Sequence, residues 1–198
     1  MYLKTIRNRV RANLANISTA EYSDDNLDAV VNEVYKEIAR SYRFANLDYT
    51  LDIQTVKDKA EYTVPNNVLR ISEPIYLKGD TNTRLKFYTD RKYFPINTFS
   101  AKPMAVLADK RQLIFYPTPD DAYYIYFTGN CLPDDLSDDL DEPITGWENC
   151  IIAGATFKIM LTLRDDYAKY WGEMYQHYND ELIGYEEVYK IKEIRGAF

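Results

Sequence analysis

Residues 112–129, QLIFYPTPDDAYYIYFTG, decide how this chain reads. Residues 113–116 and 122–128 are dense in β-branched and aromatic side chains, the composition of strands. Between them stand Pro117, Pro119, Asp120 and Asp121. Proline has no N–H to give a ladder, and aspartate favours turn backbone, so the intervening residues are a connection. The reading is an antiparallel hairpin with a five-residue loop. It closes the C-terminal end of a β module that begins near Leu47.

Working upstream, Leu47, Tyr49, Leu51 and Ile53 alternate with Asp48, Thr50, Asp52 and Gln54. That period of two marks a strand with one wet face. Lys57-Asp58-Lys59 interrupts it, and residues 61–64 resume before Pro65. Residues 68–78 form another extended stretch, interrupted at Pro74, and Gly79-Asp80-Thr81-Asn82 is a turn. Residues 84–88 are a short strand, and residues 89–103 lack periodicity. Residues 104–107 are expected to pair with 113–116 across residues 108–111. Short strands at this spacing indicate a small antiparallel sandwich or barrel.

Outside the module the period becomes helical. Leu3, Ile6, Val10, Leu14 and Ile17 share one face of a first helix, beside Lys4, Arg7, Arg9 and Arg11. Those cations are either a solvated flank or a contact with an acidic partner surface. Ser23-Asp24-Asp25 is an N-cap followed by acid in the first turn. The second helix runs to about Tyr42, with Leu27, Val30, Val31, Val34, Tyr35, Ile38 and Tyr42 buried. Residues 132–143 crowd Asp134, Asp135, Asp138, Asp139, Asp141 and Glu142 into one segment. It is expected to be a solvated linker ending at a helix N-terminus, where the dipole favours acid. Residues 147–163 then form an apolar helix, with Ile151, Ile152, Ala155, Ile159 and Leu163 inward. A last helix spans about 167–192, with a stripe of Tyr167, Trp171, Met174, Tyr178, Leu182, Tyr185 and Tyr189.

The fold class is therefore α+β: a small antiparallel β sandwich or barrel, residues 47–130, inserted between N-terminal helices (1–46) and two long C-terminal helices (147–198). An acidic linker (131–146) joins the module to the latter, and the N-terminal helices pack with the C-terminal ones. Such a chain of 198 residues fits one domain with an inserted module. Its net charge of −7 argues against general nucleic-acid binding, which needs phosphate neutralisation. It does not exclude a protein that lets DNA pass without gripping it. No apolar run reaches 18 residues, so no membrane span is expected, and the first residues do not read as a signal peptide. The 19 tyrosines, against 8 Phe and 2 Trp, suit half-buried surfaces and interfaces. Cys131 and Cys150 leave pairing open, with free thiols in a reducing interior the simpler reading.

Catalytic residues are not expected. The single histidine, His177, is a helix-seam or exposed residue, and there is no GxSxG elbow to present a nucleophile. One His and two separated Cys do not make a zinc set. The acidic segment lacks the D-x-[DN]-x-[DN]-G spacing of a calcium loop. No glycine motif for a nucleotide is present. The expectation is no cofactor and no metal.

Three stretches carry a resemblance. They are Glu61-Tyr62-Thr63-Val64-Pro65 with Val68-Leu69-Arg70-Ile71, then Leu113-Ile114-Phe115-Tyr116-Pro117-Thr118-Pro119 into Tyr124-Ile125-Tyr126, and Pro143-Ile144-Thr145-Gly146-Trp147 through Ala155 with Asp165-Asp166-Tyr167-Ala168. Over roughly residues 20–180 the chain resembles the head-to-tail adaptor (head-completion) proteins of tailed bacteriophages, particularly short-tailed ones. The resemblance implies a non-enzymatic virion protein, made in the host cytoplasm and sited at the head–tail junction. It implies a ring of about twelve copies under the portal, with a heterologous interface between neighbours, contacts to tail proteins, and DNA passing through unbound. It implies portal docking by the C-terminal segment, here Tyr185, Tyr189, Ile191, Lys192, Ile194, Arg195 and Phe198. Tyr167, Trp171, Tyr175 and Tyr178 are the expected subunit-interface residues. The other readings are a different phage ring or tail component, or, in another class, a β-module hydrolase or carbohydrate-binding protein.

Overall fold

The computed structural model describes residues 1–14, 22–78, 83–95 and 99–195, with side chains described up to residue 188. The chain divides into two compact units, Met1–Asn46 with Pro133–Phe198, and Leu47–Leu132. The expected turn at residues 79–82 and the continuation of the first helix to Ile17 lie outside the described residues.

Unit Leu47–Leu132 is a curled sheet of seven strands: β1 (Asp48–Gln54), β2 (Glu61–Thr63), β3 (Val68–Leu77), β4 (Arg84–Tyr88), β5 (Ala105–Asp109), β6 (Gln112–Tyr116) and β7 (Tyr124–Cys131). Their order is β1-β7-β3-β4-β5-β6-β2. The β5–β6 hairpin forms as expected, with Asp109 opposite Gln112 and Lys110 in the left-handed region at φ 54°. The strand 68–78 persists through Pro74 because the β3–β7 register shifts between Ser72 and Tyr76, so proline's missing N–H falls in an irregularity.

The hairpin expected across residues 113–128 does not form. β6 pairs with β5 and β2, while β7 pairs with β1 and β3. The connecting residues are fastened instead of turning back. Ala101 N–H donates to the Thr118 carbonyl (2.9 Å), Asp58 N–H to Pro119 (2.8 Å) and Thr55 N–H to Tyr123 (2.7 Å). Pro117 and Pro119 are buried. The connection thus carries the chain from one half of the sheet to the other. The all-antiparallel expectation also needs one correction, because β4 and β5 are parallel. A parallel pair requires the chain to return to the same end of the sheet. The connection from β4 to β5 includes a 3-10 turn at Arg91–Tyr93.

The sheet encloses its own core of Val64, Val68, Ile75, Leu77, Leu85, Val106, Leu113, Phe115, Ile125 and Phe127. Gly129 of β7 leaves room for a β1 side chain: a Cβ there would stand 2.5 Å from Leu51 Cδ1.

The other unit is built from α1 (Leu3–Asn13), α2 (Asp24–Ser41), α3 (Glu148–Leu163) and α4 (Ala168–Arg195). Ser23 caps α2, accepting from Asn26 N–H (3.3 Å). α3 is apolar on nearly every side and correspondingly central, buried from Cys150 to Thr156 and packed by α1, α2 and α4. Its expected inward Leu163 is exposed, because the helix ends there in a left-handed Arg164 cap. Trp147 anchors its start against Phe44 (4.5 Å between ring centres) and Tyr35 (5.7 Å). Both cysteines are free and buried, and burial pushes the Cys150 thiol up to about 12.

The acidic segment is strapped to the helices at a few points, while Asp134, Asp135, Asp138, Asp139 and Glu142 stay exposed. Asn32 clamps Leu136 with two hydrogen bonds, one to its carbonyl (2.9 Å) and one from its N–H (2.8 Å). Leu136 and Pro143 are buried, and Asp135 pairs with Lys36 at 2.6 Å. None of its acids sits in the first turn of α3, where only Glu148 is found. They meet α1 and α2 instead. Arg7 spans Asp28 with both arms of its guanidinium (2.7 and 2.6 Å) and also reaches Asp24 (3.2 Å) and Asp139 (3.0 Å). Arg11 adds Asp24 (2.5 Å). The acidic partner for these two α1 cations is thus the chain itself.

Candidate functional site

Among the described residues no group of three or more His, Cys, Asp or Glu is placed to hold a metal. His177 is exposed, its ring 5.7 Å from Tyr178. Among the described residues no helix is long and apolar enough to cross a membrane. What the structure offers is surface.

On the helical unit, α4 lies along α3 and outruns it. At 1.5 Å per residue the 28 residues of α4 reach about 42 Å, against about 24 Å for the 16 of α3. Glu186 accepts from Ala45 N–H (3.2 Å), and Tyr185 lines a cleft with Gly146, just ahead of α3. Residues 187–195 therefore continue past the start of α3. Two clefts run along the α1–α3–α4 face and share Asn149 and Tyr178. One, of about 240 Å³, is lined by Arg9, Asn13, Ile152 and Trp171; the other, of about 150 Å³, by Cys150, Glu181, Leu182 and Tyr185.

This groove brings together Trp171, Tyr178 and Tyr185, which recur every seven residues on one face of α4. It does not include the other two expected interface residues. Tyr167 is 70% exposed at the α3–α4 turn, among the exposed Leu161, Leu163 and Tyr170. Tyr175 is spent on internal packing, its ring 2.9 Å from where a Gly154 Cβ would stand; burial and the Glu37 carboxylate raise its hydroxyl's pKa. Of the expected docking residues, Tyr185 is exposed and donates to Glu181 (3.2 Å). Tyr189, Ile191, Lys192, Ile194 and Arg195 lie on α4, with side chains outside the description, and Phe198 falls outside the described residues. Of the groove's far wall, Arg9 was singled out in sequence only as one of the first helix's cations, and Asn13 and Asn149 had no signal, since these polar residues gain meaning only when α1 and α3 meet.

The β unit carries a third cleft of about 200 Å³. Val64, Val68, Ile71 and Phe87 line it together with Arg70, Lys110 and Arg111. The two units also differ in charge. The helical unit holds 13 Lys and Arg against 21 Asp and Glu, and the β unit 11 against 10. All of the chain's negative balance sits in the helical unit.

The family model described as SU10 adaptor protein matches residues 1–191. The chain belongs to the SU10 adaptor protein family. It is a member of a phage head-to-tail adaptor family, a structural component of the virion. A search of curated proteins returned no match. The adaptor's 19 tyrosines are of the residue type enriched at protein interfaces.

Proposed function

We propose that the adaptor forms a ring beneath the portal, extends the DNA channel and connects the head to the tail, without enzymatic activity. In this reading residues 185–198 dock on the portal, using Tyr185, Tyr189, Ile191, Lys192, Ile194, Arg195 and Phe198. Tyr167, Trp171 and Tyr178 face a neighbouring subunit, and Tyr175 supports them from within. The ring holds about twelve copies, made in the host cytoplasm, with tail proteins on its far side. DNA passes without specific binding, in keeping with the net charge of −7.

The observation that carries this reading is the projection of α4 past the helix it packs on. A helix that runs on beyond the helix it packs against is suited to insertion in a separate ring. The test is the mass of the purified adaptor, alone and mixed with the portal ring of the same phage. The expected result is a large complex of integral stoichiometry, lost on truncation after Tyr185 while the fold is retained. Attachment that survives this truncation refutes the docking role of the terminal segment, and an adaptor that ignores the portal refutes the ring.

A further inference from the structure

The tip of the acidic segment is built to present one apolar side chain. Asp141 accepts N–H bonds from Ser137 (2.7 Å) and Asp138 (2.8 Å) and donates its own N–H to the Asp138 carbonyl (2.9 Å). Asp138 in turn accepts from Leu140 N–H (3.0 Å). The resulting tight turn leaves Leu140 69% exposed, the second most exposed of the large hydrophobic residues. Acids surround it, and neither Asp134 nor Asp138 has an ion-pair partner among the described residues.

The cleft of the β unit is the chemical inverse. Its apolar floor is Val64, Val68, Ile71 and Phe87, and Lys110 and Arg111 stand exposed at its rim. Lys110 is held at the tip of the β5–β6 hairpin and has no ion-pair partner among the described residues. Arg111 gives one N–H to the Pro65 carbonyl (2.9 Å) and keeps others for a ligand. The cleft's 200 Å³ accommodates a branched aliphatic side chain.

We propose that the Leu140 turn of one copy seats in this cleft on the next copy, so that acid meets cation around a buried leucine. The inference rests on the ring reading and specifies its interface. The occupant is a second copy because the complementary patches lie on two different units of the same chain, one carrying the negative balance and the other not. Two unlike patches on one protomer make a head-to-tail contact, which closes into a ring when the rotation permits.

The test uses the adaptor bound to the portal ring, with Leu140→Cys and Thr89→Cys, the latter at the exposed cleft margin. A short bis-maleimide is the probe, and the wild type is the control because Cys131 and Cys150 are buried. The doubly substituted chain should give a ladder of dimers, trimers and larger species. A mixture of the two single variants should stop at dimers. Lys110→Glu should weaken assembly about tenfold at low salt, and adding Asp134→Lys, which leaves the hydrogen bonds of the turn intact, should restore it, as expected of a charge pair at an interface. A complete ring with no cross-link, or a Lys110→Glu ring as stable as wild type, overturns the inference and leaves the ring reading standing. Wild-type adaptor that forms no ring on the portal overturns both.

Discussion

Replacing Arg7 by methionine isolates the charge network that ties α1, α2 and the acidic segment. Methionine keeps most of the apolar stem and removes the guanidinium, so lost packing is small. The Arg7 side chain is only 11% exposed, and Asp28 only 22%, so their two-armed pairing is poorly screened. A hydrogen bond to a charged group is worth about 1.5–3 kcal/mol net, and the two here share one guanidinium and do not simply add. Asp24 and Asp139 are 59% and 50% exposed, and exposed pairs contribute about 0–1 kcal/mol each. The expected loss is about 2–4 kcal/mol, a large part of a typical domain's 5–15 kcal/mol or so. Both tryptophans, Trp147 and Trp171, lie in the helical unit. Tryptophan emission in urea, excited at the red edge where tyrosine does not absorb, therefore reports on this unit. With a slope of about 2 kcal/mol/M, the midpoint should fall by about 1–2 M. Arg7→Lys should fall between, because an ammonium cannot span both carboxylate oxygens in the same plane. A methionine variant whose midpoint lies within about 0.2 M of wild type, with unchanged slope, refutes the argument.

Gly154→Ala should destabilise the helical unit by about 1 kcal/mol, although alanine is the better helix former by about the same amount. The added Cβ would stand 2.6 Å from Val34 Cγ1 and 2.9 Å from the Tyr175 ring, stiff neighbours, and overpacking costs about 1–3 kcal/mol. Gly184→Ala, with nothing within 4 Å of its Cβ, is the control and should stabilise; a stabilised Gly154→Ala in the same urea assay would sink the close-packing account. Asp141 carries the expected pH dependence. The Asp138 and Ser137 backbone N–H groups hold its carboxyl below the usual range. Its contribution is thus complete above the unfolded value of about 4 and lost as pH falls through the lower folded value. Asp141→Asn should be less stable than wild type at pH 7, and the two should converge in acid. A gap that stays constant from neutral to acid pH would remove Asp141 as the cause.

The elements were legible where the determining physics is local. Ser23 caps α2 as its hydroxyl chemistry requires, and the β5–β6 hairpin forms where a short polar tip joins two apolar runs. Partners were legible only where the connection is short. β6 and β7 were both recognisable as strands, yet each finds its neighbours elsewhere, because a strand's edges are claimed by whichever strands the whole sheet brings alongside. The same holds for charge. The cations of α1 and the acids of residues 134–142 were each plain in sequence, but Arg7 and Asp139 lie 132 positions apart, and composition says nothing about pairing. The α4 stripe shows the third limit. A seven-residue spacing correctly groups Trp171, Tyr178 and Tyr185, but periodicity cannot tell a face that packs inside from one left for another molecule. Tyr175, the internal ring on α4, and Tyr167, the exposed one in the turn just before it, are the same residue type eight positions apart, and the opposing surface separates them. At Tyr175 that surface is Gly154 of α3; at Tyr167 α3 has already ended. An adaptor's function resides in the faces its own fold leaves uncovered, and these are known only once the covered ones have been accounted for.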